Sequence, residues 1–208
     1  MSRHVTVPAE RLPRWLSGFA DRHGETVAEA DEDEVRLTGA DAARAGLAVP
    51  FPPLPEGAAD PRERLIAHVS RARTVGVLLV RRRAHAAGVF DDGELVASKV
   101  DTSYVQATTK AGGWSQHRYA RRRANQASAA FADAADTAAR VLLPHVTRLD
   151  ALVCGGDRTA IDAVLADPRL QPLAALRTKP WLAVPDPRLR VLQATPAQFR
   201  AIRIWLDP

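Results

Sequence analysis

One cysteine, Cys154, stands alone in 208 residues. No internal disulfide can form, which fits a reducing, cytosolic setting. The N-terminal stretch MSRHVTVPAERLPRW has no apolar core of signal-peptide length. The longest apolar run in the middle of the chain, VGVLLV, falls far short of the roughly 20 residues a membrane-spanning helix needs. These absences predict a soluble, cytoplasmic protein. The six histidines, His4, His23, His68, His85, His117 and His145, are scattered, and none of the spacings that hold a metal ion is found among them. There is no internal repeat and no low-complexity tail.

Hydrophobic residues make up 46%, enough to bury a core, and the length suits one domain with an extension or two small domains. The net charge of +5 points toward an anionic partner, but its distribution matters more than its sum. Acidic residues are missing entirely between Asp101 and Asp133, where Lys110, Arg118, Arg121, Arg122 and Arg123 fall. A one-sign stretch of this length builds a local positive field.

Along the chain, HVTVP predicts a short strand. In the next segment Leu12, Trp15, Leu16 and Phe19 fall at helical spacing and Gly24 stops the helix. ETVAEADEDEVRLTG predicts two strands around an acidic turn, in which Asp31, Glu32, Asp33 and Glu34 are solvated rather than metal-binding. VPFPPLPEGAADP is too rich in proline for helix or central strand and is taken as a spacer. Asp60 and Pro61 then cap and open a helix. TVGVLLV predicts a central strand, and AHAAGVF–DDG–ELVASKV a hairpin turning at Asp92-Gly93, so that three strands meander antiparallel.

A long helix is expected from Gln116 to about Leu143, with Phe131, Ala134, Ala138 and Leu142 on the stripe facing the sheet and Pro144 ending it. LDALVCGG is a fourth strand, and Asp157 caps a further helix. WLAVP and RLRVLQA are candidate strands. Thr195-Pro196 opens a last amphipathic helix holding Phe199, Ile202 and Leu206. The order predicts an α/β fold of the ribonuclease H type, a mixed sheet with a long helix. A small N-terminal α/β extension and Pro-rich linker would cover 1–55, leaving 56–208 as the main domain.

The segment KAGGWSQHRYARRR concentrates the chemistry. Gly112 and Gly113 permit backbone conformations closed to other residues and close approach to a partner. Ser115 suits a helix cap, whose free N–H groups attract negative charge. Trp114 offers a flat face on which a base can stack. Gln116 is no general base at neutral pH, but its amide can orient a water or a carbonyl. Arg118, Arg121, Arg122 and Asn125 recur at spacings of three and four, a row suited to RNA phosphates. His117, beside the glutamine, is either an RNA contact or an ordinary surface histidine, and Arg81-Arg82-Arg83 at a strand end is open in the same way. Cys154 is expected to be a small buried residue, and CGGD an ordinary strand-to-helix turn, because it lacks the lysine and spacing of a phosphate-binding loop.

From GVFDDGELVASKVDTSYVQATTKAGGWSQHRYARRRANQ, the chain over roughly 61–208 resembles the catalytic domain of eukaryotic and archaeal class-1 peptide-chain release factors. It looks closest to the Vms-like peptidyl-tRNA hydrolases of ribosome-associated quality control and their bacterial relatives. Those factors have a ribonuclease H-like domain with Gly-Gly-Gln at the tip of a loop. Gln116 matches the glutamine, whereas Trp114-Ser115 occupies the two places before it.

The resemblance implies hydrolysis of the ester joining a nascent peptide to tRNA, within the peptidyl transferase centre. In that role Gln116 is the catalytic residue, and Gly112, Gly113, Trp114 and Ser115 form the loop. Lys110, His117, Arg118, Arg121, Arg122 and Arg123 contact RNA. The partners implied are large-subunit RNA and peptidyl-tRNA, with no DNA, membrane, metal or cofactor, the protein acting as a monomer without reading stop codons. Two other readings stand beside it. One is a non-catalytic ribosome-binding module of the pelota type. The other is a metal-dependent RNA nuclease using Asp91, Asp92 and Asp101.

Overall fold

The computed structural model describes residues 3–81, 84–102 and 116–207, with the backbone alone described at 3, 102 and 116–127. In chain order these residues form β1 (Arg3–Val7), α1 (Leu12–His23), β2 (Thr26–Ala30), β3 (Glu34–Gly39), β4 (Arg44–Ala48), α2 (Pro61–Ser70), β5 (Thr74–Arg81), β6 (Ala84–Asp91), β7 (Glu94–Thr102) and α3 (Gln116–Leu142). They continue through β8 (Ala151–Gly156), α4 (Arg158–Leu165), α5 (Gln171–Ala174), β9 (Arg177–Leu182), α6 (Leu189–Gln193), α7 (Pro196–Phe199) and β10 (Ile202–Asp207). Two compact units result: Met1–Ala72 with Pro196–Pro208, and Arg73–Thr195.

The first unit is an antiparallel sheet in the order β1-β10-β4-β3-β2. In α1, Leu12, Leu16 and Phe19 recur at four- and three-residue steps and are buried with Leu65 and Val69 of α2. Facing them are Val35 and Leu37 of β3, Leu47 of β4, and Ile202 and Ile204 of β10. Large side chains of this kind contribute about 1.5–3 kcal/mol each when removed from water. The Asp60 carboxylate accepts the Arg62 backbone N–H and holds its guanidinium, which starts α2.

Two expectations change here, and one strand is added. RAGLA, to which no element was assigned, is a strand, β4, although its residues carry little β propensity; it is held between β3 and β10. The last helix does open at Pro196 but ends at Phe199 instead of running through Ile202 and Leu206; the chain end is a strand, because IRIWL alternates and its isoleucines both reach the core. The proline-rich stretch is docked rather than a plain spacer: Leu54 is buried, its N–H donates to the Glu32 carbonyl, and the Pro50 carbonyl lies 2.9 Å from His68 Nε2. The segment that suggested a boundary near residue 55 therefore lies within the first unit.

The second unit has the sheet order β7-β6-β5-β8-β9. β5, β6 and β7 are antiparallel, whereas β8 and β9 add parallel to β5. A three-strand meander followed by two parallel strands reached through helices is the ribonuclease H-like arrangement. β5 reads as a continuous apolar run because both its faces are buried. On one face lie Ala134, Ala135, Ala138, Val141 and Leu142 of α3 with Ile161 and Val164 of α4. On the other, Leu192 of α6 sits over Gly88 of β6. In RLRVLQA, where a strand was expected, Leu189–Gln193 is thus helix. The Gly155-Gly156 pair is structural: Gly155 meets Leu182 of β9 at close range, and Gly156, at φ 94°, turns the chain into α4, where the Asp157 carboxylate accepts the Ala160 N–H.

Within the first unit Gly46 pairs with Trp205 across β4 and β10, and a Cβ at Gly46 would overlap the indole, whose N–H donates to Glu34. Gly46→Val should therefore lower stability by about 1–3 kcal/mol through overpacking, seen as a lower urea midpoint by circular dichroism. An unchanged midpoint would show that the indole does not lie across this strand.

Candidate functional site

The site suggested by the sequence lies between the end of β7 and the start of α3. β7 closes at Thr102 and α3 opens at Gln116. Lys110, Gly112, Gly113, Trp114 and Ser115 lie outside the described residues. Gln116, His117, Arg118, Arg121, Arg122 and Arg123 occupy the first two turns of α3, and no acidic residue accompanies them in the first turn. Side chains of α3 are described from Ser128 onward. Ser128, Ala129, Ala132 and Asp133 are exposed, and full burial begins at Ala134. At 1.5 Å per residue, Gln116 stands about 27 Å along the helix from that point.

What seats the helix is a row of small side chains on β6. By alternation His85, Ala87 and Val89 share the face toward α3. His85 is 3% exposed and its Nε2 lies 3.0 Å from Thr137 Oγ1, a buried polar contact in the middle of an otherwise apolar seam. Burial holds the His85 imidazole below the ordinary histidine pKa, while Asp101 and Asp133 pull it back upward and Lys99 lowers it further. His85 is also the register partner of Asp101 near the end of β7, where Lys99 Nζ lies 3.3 Å from the Asp101 carboxylate.

The other candidates separate. Asp91 and Asp92 sit at the hairpin turn. There Asp91 faces Arg148 at 3.6 Å and Thr74 Oγ1 at 3.3 Å, and Asp92 takes φ 45°. Asp101 is at the opposite end of β7, about 24 Å away along the strand, so the three carboxylates do not converge on one ion. Asp31 is consumed in its own turn. It accepts the Asp33 and Glu34 N–H groups and the Arg36 guanidinium, and the first of these contacts, then the guanidinium, hold its carboxyl below the usual range. His23 lies 2.9 Å from Asp41. Cys154 is buried, and burial pushes its thiol up to about 12, so it packs as a small inert side chain. Arg81 donates to the Val184 carbonyl at 3.0 Å; residues 82–83 lie outside the described residues.

A cluster not anticipated joins α4 to β9. The Arg158 guanidinium lies 4.3 Å from the Trp181 ring centroid, and Arg177, 5.5 Å from it, bonds Asp162 at 2.6 Å. No spacing signal in the sequence links Arg158 to Trp181.

Residues 73–205 match the family model of the Actinobacteria/chloroflexi VLRF1 release factor. The chain belongs to this family. Membership in the VLRF1 family brings a ribosome-associated release-factor role, and the basic, glutamine-headed start of α3 lies inside the matched stretch. No curated protein matches the chain by sequence. Among solved structures the chain is similar to the Vms1 mitochondrial localization core, with 9% identity and TM-score 0.49 over 93% of this chain and 80% of that one. It is also similar to an archaeal translation termination factor, aRF1, with 15% identity and TM-score 0.47 over 95% of this chain and 64% of that one. No helix among the described residues is long and apolar enough to cross a membrane.

The seating of α3 should depend on pH with a defined sign. The folded state favours neutral His85, so below about pH 6.5 the unfolded chain binds a proton that the folded chain resists. The histidine's contribution to stability is therefore complete above that pH and falls as the pH drops through it. His85→Gln should flatten this slope in thermal unfolding between about pH 7 and pH 5. Thr137→Val should lower stability by about 1–3 kcal/mol at neutral pH by leaving the ring nitrogen unpaired.

Proposed function

We propose that the protein is a peptidyl-tRNA hydrolase of ribosome rescue, which enters the large subunit and releases a nascent chain from its tRNA without reading a stop codon. The observation that carries this reading is the release-factor family match over 73–205, within which Gln116 opens the long basic helix. In the reaction, water attacks the ester carbonyl. The peptide leaves with its new carboxylate, and the ribose hydroxyl of tRNA takes up the proton. Gln116 aligns the groups, and its backbone N–H stabilises the oxyanion as it forms, a contribution of about 3 kcal/mol for a well-aimed donor.

The loop Gly112-Gly113-Trp114-Ser115 carries Gln116 to the ester. Lys110, His117, Arg118, Arg121, Arg122 and Arg123 hold large-subunit RNA and tRNA backbone. The protein acts as a cytoplasmic monomer without cofactor. On this reading the length of α3 is functional, since it sets the reacting end well away from the packed sheet.

Peptide release from large subunits carrying peptidyl-tRNA tests the proposal. Gln116→Ala should reduce the rate by at least about 100-fold with little change in subunit binding. Equal rates for the variant and the wild type would remove Gln116 from the chemistry, and binding without release by either would favour the non-catalytic reading. Replacing Arg118, Arg121 and Arg122 by glutamine should weaken subunit binding and reduce its salt dependence, leaving the rate at saturation nearly unchanged.

A further inference from the structure

The first unit carries its own basic groove. A hollow of about 360 Å³ opens beside the end of β1 and the outer side of α1, lined by Thr6, Arg11, Arg14, Trp15, Gly18 and Arg22 among others. The spacing brings these residues together: with about 100° of turn per helical residue, positions 14, 15, 18 and 22 fall on one side of α1, away from the buried Leu12, Leu16 and Phe19. Among the described residues no ion pair or side-chain hydrogen bond engages the guanidinium groups of Arg11, Arg14 or Arg22. The acidic residues of the same segment, Glu10 and Asp21, do not line the hollow. Elsewhere in the unit Arg36 is paired with Asp31 and Arg62 with Asp60.

Three arginines without ion-pair partners around a concave surface give it a local positive excess. Trp15 stacks on Phe19 at 5.6 Å between ring centroids, which anchors the indole at the groove wall. Gly18 leaves the floor open: a Cβ built there meets nothing within 4 Å. Arg14 and Arg22 are about 12 Å apart along the helix, so the cations form a row rather than a point. A row of cations beside an aromatic ring matches a charged, repeating backbone bearing flat bases.

We propose that this groove binds single-stranded RNA, its arginines on successive phosphates and Trp15 beside a base, as a second RNA contact separate from the basic start of α3. The choice of RNA over other polyanions rests on the release-factor reading; the existence of an anion site rests on the groove alone.

The test is binding of a labelled oligouridylate to the full chain, over a range of salt, for wild type, Gln116→Ala, Gly18→Glu and the triple variant R11Q/R14Q/R22Q. All the substituted side chains of the last two variants sit at the groove surface or point into open space, and circular dichroism checks that both variants fold. The triple variant should bind at least about 10-fold more weakly, and its logarithmic salt slope should fall by about 0.7 for each phosphate the arginines no longer neutralise. Gly18→Glu should weaken binding by filling the groove with negative charge. Gln116→Ala should bind as wild type, so a failure of peptide release leaves this result standing and the converse also holds. Unchanged affinity and slope in both groove variants would overturn the site. Competition by polyglutamate as effective as that by unlabelled oligouridylate would overturn RNA as its ligand in favour of an acidic protein.

Discussion

Ala134, Ala135 and Ala138 bring α3 against β6, and the geometry of the second unit depends on how closely they allow it to lie. Methyl side chains keep the helix near the strand but bury little area each. Docking therefore draws on the larger neighbours, Val141 and Leu142 in the same helix and Ile161 and Val164 in α4. The buried His85–Thr137 contact sits inside this seam, and a polar pair of this kind is satisfied in only a narrow range of helix positions. Among the described side chains of α3 full burial begins at Ala134, about 27 Å along the helix axis from Gln116.

The first unit is closed by a strand that arrives from the other end of the chain. β10 lies between β1 and β4, so the sheet requires residues separated by almost the whole sequence. Without it β1 has no neighbour among the described residues, and β4 loses one of its two. The unit is thus no detachable N-terminal extension: the second unit is inserted within it, leaving after Ala72 and returning at Pro196. The family match begins at residue 73, where the insertion begins, yet runs on to 205 through most of β10. Gly46 and Trp205 record the same dependence locally, since the glycine at the middle of β4 makes room for an indole brought in by the last strand.

What could be read beforehand follows from which forces are local. α1, α2 and α4 announce themselves by caps and apolar periodicity, and β5 to β7 by a continuous apolar run and a tight Asp92-Gly93 turn. β4 could not be read, because Arg-Ala-Gly-Leu-Ala becomes a strand only between two others, one of them far away in sequence. β10 was ambiguous in a different way: Phe199, Ile202 and Leu206 satisfy a helical spacing, while Ile202 and Ile204 satisfy alternation, and the unfilled place beside β4 decides between them. The proline-rich segment was read by composition, which is blind to the single Leu54 that docks it. At the candidate site, the start of the long helix at Gln116 was legible from the serine and the periodicity around it. The contact that seats that helix, between His85 and Thr137, joins residues 52 apart with no pattern in common.

The charges at the head of α3 are opposite to those at the heads of α2 and α4. α2 and α4 begin with Asp60 and Asp157, carboxylates that accept exposed N–H groups and suit the positive end of a helix. α3 begins with His117, Arg118, Arg121, Arg122 and Arg123 and no acid in its first turn. A cation in the first turn, such as Arg118, is disfavoured by a few tenths of a kcal/mol to about 1 kcal/mol, and like charges three or four residues apart, such as Arg118 with Arg121 and Arg122, add about 0.2–0.5 kcal/mol per pair. Helix electrostatics therefore gives no reason for placing these residues at the head of α3. Their sign makes sense for a helix whose counter-charge is supplied from outside. An RNA backbone would reverse both terms at once, placing anions at the positive helix end and between the arginines.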